Sequence, residues 1–494
     1  MFCYQCEETA KGSRRTVRGV CDRDGVLAGL QDVLLYLCRG IAMRDLAARE
    51  RGEAGNSEAR MFIADALFTT LTNVDFGHAC FGDLIRRAVA IRELLVYGLK
   101  GIGAYYHHAA VLGYTDDAIE AFLEVGLASI TRDLSVDEMI GLVLECGRVG
   151  VATLALLDRA DTATYGDPEI TSVRMTVGDR PGILVTGRDL KDLAELLEQS
   201  KDEGVDIYTH GEMLPAHAYP GLKKYPHLVG NYGSSWHRQR EEFGAFNGPI
   251  LVTTDCIVPP EESYLGRIYT TGPAGWPGAT RIPAGADGTK DFSGVVRAAQ
   301  ASRPPSPLHV SGRDLITGCA HKTVLALADT IVGAVKTGEI RRFVVMAGCD
   351  GRQREREYYT EFAEALPRDT MILTAGCAKY RYNALDFGNI GGTPRVVDAG
   401  QCSDCYSLVV IVQALADAFG VGINDLPVSY NIAWYEQKAV LVLLALLSLG
   451  VKKITLGPKL PGFVPPNVLK VLVENFGIAP NTTVEADLAR LVPA

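Results

Sequence analysis

Six residues that bind metals well stand directly behind short apolar runs. FVVMAG (343–348) runs into Cys349, and MILTAG (371–376) runs into Cys377. RVVDAG (395–400) is followed by Gln401 and Cys402, and PILVTT (249–254) by Asp255 and Cys256. VDIYTH (205–210) leads through Gly211 to Glu212, and SYNIAW (429–434) leads to Glu436 and Lys438. In open parallel sheets, ligands bind outside the carboxyl ends of the strands. Four thiols and two carboxylates therefore stand where a site forms. Four Cys favour zinc or an iron–sulfur centre. Two more carboxylates exceed what a closed tetrahedral zinc site uses, and hard oxygen donors beside soft thiolates point to a larger cluster holding sulfide and oxygen. Lys438, two residues after Glu436, is placed to pair with a cluster carboxylate or donate to a bound oxygen. The competing reading is buried core cysteines near sheet edges. It suits any one of these residues but not the whole set.

A second constellation opens the chain. MFCYQCEETAKG carries Cys3 and Cys6, and Cys21 follows. A Cys-x-x-Cys pair with a third Cys in a Gly-containing loop is suited to wrap a [4Fe–4S] cluster, although a fourth Cys is missing. A zinc site or a redox dithiol stays open as the alternative. Cys38, Cys80 and Cys146 fall in helical stretches and read as buried thiols. Cys319 with His321 reads as packing, and Cys405 as a spectator beside Cys402. One of His107 and His108 reads as a polar surface residue. His217, His227 and His237 lie in loops and read as hydrogen-bonding groups. No GxGxxG fingerprint opens a helix, so nicotinamide binding is not supported.

The elements that must position these residues change character near residue 170. Residues 25–165 show apolar spacing near 3.6 in LQDVLLYLCRGIAMRDLAARE, ARMFIADALFTTLTNV, DLIRRAVAIRELLVYGL and DDAIEAFLEVGLASI, which predicts a helical bundle. Beyond 170, fully apolar runs, GILVTG (182–187) and KITLGP (453–458) among them, alternate with amphipathic stretches such as DLKDLAELLEQSK and TVLALADTIVGAVKTG. That alternation predicts parallel sheets covered on both faces. The Pro/Ser-rich RPPSPLHVSG suggests a boundary near 309. The reading divides the chain into 1–168, helical with the N-terminal Cys loop, and two α/β domains, 169–308 and 309–494.

Bulk properties agree. The chain has 494 residues, room for about three domains. It is 47% apolar, ample for packed cores, and its net charge of −10 argues against nucleic acid as a partner. The thirteen-residue run Ala439–Val451, flanked by Lys438 and Lys452, is short for a bilayer and reads as a buried helix. The N-terminus has no apolar h-region, which points to the cytoplasm. There twelve cysteines are better explained by metals or catalysis than by disulfides.

Together these residues resemble the hybrid-cluster (prismane) protein family of hydroxylamine reductases. The resemblance covers nearly the whole chain. It is carried by MFCYQCEETA, LTNV (71–74), YTHGEMLPAHAYPGLKKYPHLVGNYG, TTDC, VVMAGCDGR, ILTAGCAKYRYN, VVDAGQCSDCYS and NIAWYEQKAVLVLLALLSLGVK. It implies a helical N-terminal domain followed by two Rossmann-like domains, shortened here around 98–101. It implies that Glu212, Cys256, Cys349, Cys377, Cys402 and Glu436 ligate a hybrid [4Fe-2O-2S] cluster, with a persulfide on Cys349 and Lys438 beside it. It implies that Cys3, Cys6 and Cys21 hold an electron-transfer [4Fe–4S] cluster.

Two positions depart from the family pattern. Arg15 stands where a fourth N-terminal Cys is usual, and Arg188 stands in Gly187-Arg188-Asp189-Leu190 where the family has His. Arginine has no free lone pair and replaces neither ligand: the N-terminal site is left with a three-iron cluster, a cluster with one iron on water, or nothing, the hybrid site loses one iron or recruits another donor such as His210, and full activity is put in question. The implied reaction reduces hydroxylamine to ammonia and water with electrons from an external donor protein, with Glu212, Glu436 and Lys438 as the catalytic side chains. Nitric oxide reduction is a related activity the resemblance also permits. Two alternatives stand beside it. One is a nitric oxide or redox sensor, or a degenerate member with impaired clusters. The other is a carbon monoxide dehydrogenase-like enzyme, which shares the architecture.

Overall fold

A computed structural model of the chain describes residues 25–50, 57–70, 90–130, 136–254, 256–308, 313–461 and 472–493. Cys3, Cys6, Arg15, Cys21 and Cys80 lie outside the described residues.

The apolar 3.6 spacing yields five long helices: Gly25–Glu50, Ser57–Thr69, Ala90–Val111, Asp117–Ser129 and Val136–Tyr165. Asp116 starts the fourth by accepting the Ala118 and Ile119 N–H groups, two of the donors a helix start leaves unpaired. Residues 98–101 lie inside the continuous Ala90–Val111 helix.

Two six-stranded sheets follow. In the first, the strands run in the order Leu228–Asn231, Asp206–Thr209, Gly182–Thr186, Ile250–Val252, Ile268–Thr270 and Thr280–Arg281. In the second the order is Val396–Asp398, Thr370–Thr374, Arg342–Val345, Val428–Ala433, Ile454–Gly457 and Ala479–Pro480. Every pairing within both sheets is parallel. All eight apolar runs read from the sequence are strands. Gly182–Thr186, Asp206–Thr209, Ile250–Val252 and Thr370–Thr374 are buried at every residue, as strands covered on both faces must be. The fold is therefore a helical bundle followed by two Rossmann-like parallel sheets. Thr171–Val173 pairs antiparallel with Leu315–Thr317, so the chain enters and leaves the first sheet region through one clasp.

The helical layer and the second sheet share one hydrophobic core. The Ala439–Val451 run supplies the link, as most of the buried Gln437–Ser448 helix. This helix packs against Ala90–Val111 and Val136–Tyr165. The Leu441 side chain faces Gly101 and Gly150 and that of Leu444 faces Gly98, so larger side chains enter notches left by missing ones, while Gly147 lets the Leu444 carbonyl approach. The first sheet has its own cores on either face. Ile140–Tyr165 and Cys402–Phe419 are long and apolar enough to cross a bilayer, but half of each is buried inside the protein.

Candidate metal centre

The carboxyl ends of the two sheets meet, and each strand end delivers one chemical group. From the first sheet, Gly182–Thr186 delivers Arg188, Asp206–Thr209 delivers Glu212 at the start of a 3-10 helix, and Ile250–Val252 delivers Cys256. From the second, Arg342–Val345 delivers Cys349. Thr370–Thr374 and Val396–Asp398 deliver Cys377 and Cys402, each opening a short 3-10 turn. Val428–Ala433 delivers Glu436, whose carboxylate caps the Gln437–Ser448 helix by accepting the Lys438 N–H at 3.0 Å.

Glycine makes the delivery possible. Gly348 and Gly376 stand just before Cys349 and Cys377 with φ of +114° and +84°. A Cβ on Gly348 would collide with the Ala433 carbonyl oxygen, and one on Gly376 with the Gly348 carbonyl oxygen. Only glycine lets these loops stack so closely. Thr254 and Cys256 hold left-handed backbone, φ +56° and +65°, without being glycine. Such strain costs about 1–3 kcal/mol per residue and persists where the surroundings over-determine it.

Glu212 ties the two halves together. Its Oε1 accepts from the Cys377 Sγ–H at 3.2 Å, and its Oε2 accepts the Cys402 N–H at 2.7 Å. Cys377 lies within the electrostatic reach of Glu212, Cys256, Cys349 and Cys402. Cys349 lies within that of Glu436, Cys402, Arg356 and Lys438. Lys438 Nζ sits 3.2 Å from Glu436 Oε1. The structure thus brings together Glu212, Cys256, Cys349, Cys377, Cys402, Glu436 and Lys438.

Burial first, and then the neighbouring Glu212 and thiols, pushes the Cys377 thiol well above its ordinary range. Burial and Glu436 do the same to Cys349. Burial thus works against ionisation of the Cys377 and Cys349 thiols. Soft sulfur beside hard oxygen is a donor set that a metal centre can use. Among the described residues no three His, Cys, Asp or Glu converge on the position of a single ion.

Other residues shape the walls. Arg356 is fully buried and donates to the Cys349 and Trp434 carbonyls at 3.1 and 2.6 Å. Tyr380 donates to the Gly211 carbonyl at 2.8 Å. Neither was singled out from the sequence, because their roles depend on loops distant in the chain. Arg188 is buried at 2% exposure and donates to Cys402 Sγ at 2.6 Å.

His210 does not stand in for the missing histidine. Its Nδ1 is engaged by Thr186 Oγ1 at 3.0 Å and its Nε2 by Glu242 at 2.8 Å, so both ring nitrogens are used. His107 and His108 are not surface residues either: His108 is buried, and His107 bonds Asp65 at 2.7 Å. His217, His227 and His237 hydrogen-bond Thr209, Ser200 and Ser235. Cys38, Cys146, Cys319 and Cys405 are buried, and His321 bonds Ser407.

Comparison with known proteins adds sequence-wide likeness. The model of the Prismane/CO dehydrogenase family matches residues 1–93 and 85–489. A hydroxylamine reductase of Methanosarcina mazei is 54% identical over 542 positions, covering 100% of both chains. One of Methanocaldococcus jannaschii is 52% identical over 544 positions, again covering 100% of both. Among solved structures, a Ni-free carbon monoxide dehydrogenase from Thermococcus sp. AM4 matches with TM-score 0.62 at 18% identity, over 99% of this chain and 90% of that one. Carbon monoxide dehydrogenase IV from Carboxydothermus hydrogenoformans matches with TM-score 0.62 at 17% identity, over 99% and 91%.

Proposed function

The chain belongs to the Prismane/CO dehydrogenase family, and from that premise we infer that it is a hydroxylamine reductase, an oxidoreductase acting on a nitrogenous compound. The observation that carries the reading is 54% identity across the full length of both chains with a hydroxylamine reductase. The meeting of Glu212 with Cys377 and Cys402 across two sheets gives it a site. The likeness to carbon monoxide dehydrogenases, at 17–18% identity, speaks for the fold alone.

The family implies iron–sulfur clusters. In our finer reading Glu212, Cys256, Cys349, Cys377, Cys402 and Glu436 hold a hybrid [4Fe-2O-2S] cluster, and Cys3, Cys6 and Cys21 hold a [4Fe–4S] cluster. The reaction adds two electrons and two protons to hydroxylamine and breaks the N–O bond, giving ammonia and water. When bound, the iron–sulfur group supplies electrons and a Lewis-acidic iron. The chain supplies the setting. Burial of Glu212, Cys377 and Lys438 keeps bulk water from the chamber. Lys438 Nζ, held by Glu436, keeps an ammonium proton at its wall. Arg356 and Tyr380 fix the loops that carry Cys349 and Glu212.

The electrons come from an external donor protein in the cytoplasm, hydroxylamine is the small-molecule substrate, and the same centre suits nitric oxide. The acidic net charge supports a reading without nucleic acid, and the half-burial inside the protein of the two long apolar helices among the described residues supports one without a membrane. A second reading, a sensor or a member with an impaired cluster, draws on Arg188, which brings a guanidinium with no lone pair to the Cys402 sulfur. Anaerobic purification with iron, sulfide and nickel analysis separates them, followed by hydroxylamine-dependent oxidation of a reduced viologen. Iron and sulfide without nickel, with one ammonia formed per two electrons, is the expected result. Iron-replete protein without turnover favours the sensor, and protein that takes up no iron overturns the enzyme reading.

A further inference from the structure

We propose that Arg188 is a positioning residue of the centre: its guanidinium holds the Cys402 sulfur and raises the reduction potential of the group that sulfur ligates. The proposal rests on the reading of this chamber as an iron–sulfur site.

Three segments converge to bury this one cation. Gly187, φ +99°, ends the Gly182–Thr186 strand, and a side chain there would strike the Thr253 carbonyl. Arg188 is thereby turned to the carboxyl edge of the sheet. The next residue anchors the turn: Asp189 N–H donates to Thr253 Oγ1 at 3.2 Å, and the Asp189 carboxylate caps the Leu190–Ser200 helix. The Arg188 carbonyl accepts from Gln401 Nε2 at 3.4 Å, which docks the turn beside Cys402 on the second sheet. From the helical layer, the Tyr105 ring lies under the guanidinium at 5.2 Å from its centroid. Helical layer, first sheet and second sheet each contribute one face of the pocket, and the charged head is aimed at sulfur.

The chemistry follows from charge. Burying a guanidinium is costly unless it is paired with an acceptor. Arginine keeps its charge at any working pH, so this cation does not switch off. Four thiols and two carboxylates line the chamber, and Lys438 pairs with Glu436. Arg188 addresses Cys402 directly, at 2.6 Å. Hydrogen bonds to the sulfurs and local charge set the potential of iron–sulfur groups. Adding an electron adds negative charge, which a guanidinium on the sulfur favours. Removing it therefore lowers the potential.

Wild type, Arg188→Met and Arg188→Lys are purified anaerobically. Each is assayed for iron and acid-labile sulfide and titrated with dithionite as the one-electron source under electron paramagnetic resonance. The relevant signal is assigned by its loss in Cys402→Ser. Arg188→Met keeps its iron, and its midpoint falls by at least 59 mV, the one-electron equivalent of a tenfold change in the equilibrium. Arg188→Lys, which keeps the charge, recovers most of the shift. An unchanged midpoint in iron-replete Arg188→Met overturns the proposal while leaving the site reading intact. Wild type without iron overturns the site reading itself. Should Arg188→Met fail to fold, Arg188→Gln, which keeps a planar N–H donor without the charge, must show the same downward shift, and an unchanged midpoint there overturns the proposal equally.

Discussion

Gly348→Ala tests whether close stacking of the strand-end loops builds the chamber. Gly348 holds φ of +114°, and Cβ there would sit inside the Ala433 carbonyl oxygen. The unfavourable backbone alone costs about 1–2 kcal/mol. To relieve the collision, the loop must move away from Ala433 and give up the Cys349 N–H to Ala433 carbonyl hydrogen bond of 2.8 Å, worth about 1 kcal/mol. Crowding of the tightly packed wall adds about 1 kcal/mol more. The expected destabilisation is about 3–4 kcal/mol. Gly338→Ala is the control, because Gly338 has φ of +79° but open space around its Cβ position. It carries only the backbone term, about 1–2 kcal/mol. Urea unfolding followed by tryptophan fluorescence reads both variants, since Trp434 adjoins Ala433. Iron content separates them further, falling in Gly348→Ala and holding in Gly338→Ala. Equal destabilisation of the two variants, or normal iron in Gly348→Ala, refutes the reasoning.

Three further outcomes follow from the same geometry. Glu212→Ala removes the acceptor for the Cys402 N–H and the partner of Cys377, so it costs about 2 kcal/mol in urea unfolding and lowers iron per chain; unchanged iron would remove Glu212 from the ligand set. Burial pushes His217 down to about 4, so the folded state keeps it neutral while the unfolded chain protonates near pH 6.5. Stability contributed by neutral His217 is therefore lost as pH falls from 6.5 and levels off below about 4, a change of about 3 kcal/mol that His217→Gln removes from the pH profile of unfolding. Arg188→His replaces a guanidinium with a lone-pair donor beside Cys402, and analysis of anaerobic protein should find more iron per chain than in wild type.

The parts of the molecule legible in the sequence are those whose signal is local. MILTAG and FVVMAG are fully apolar over strand length and end in Gly-Cys, so strand, turn and chemistry are written in six or seven neighbouring residues. Strands at the sheet margins carry no such signal. Thr280–Arg281 is two exposed residues, and Leu228–Asn231 contains Gly230, which is there because Arg174's carbonyl approaches it closely. The joining of the helical layer to the second sheet was equally unreadable. It rests on Leu441 finding Gly101 and Gly150, positions 340 and 291 residues away in the chain. At the site, the strand-end donors were legible by type, but Arg356 and Tyr105 act through shape and distance, which no spacing encodes. Arg188 was visible as a departure. That it points at Cys402, and that His210 is already engaged on both nitrogens, needed three dimensions.

The central claim is that side chains from both sheets surround one inorganic core. Anomalous diffraction at the iron edge, on crystals grown anaerobically, tests it most directly. The account predicts a multi-iron peak between Glu212, Cys377 and Cys402, reaching toward Cys256, Cys349 and Glu436. A chamber without iron, or a single zinc ion on two or three of these thiols, would contradict it.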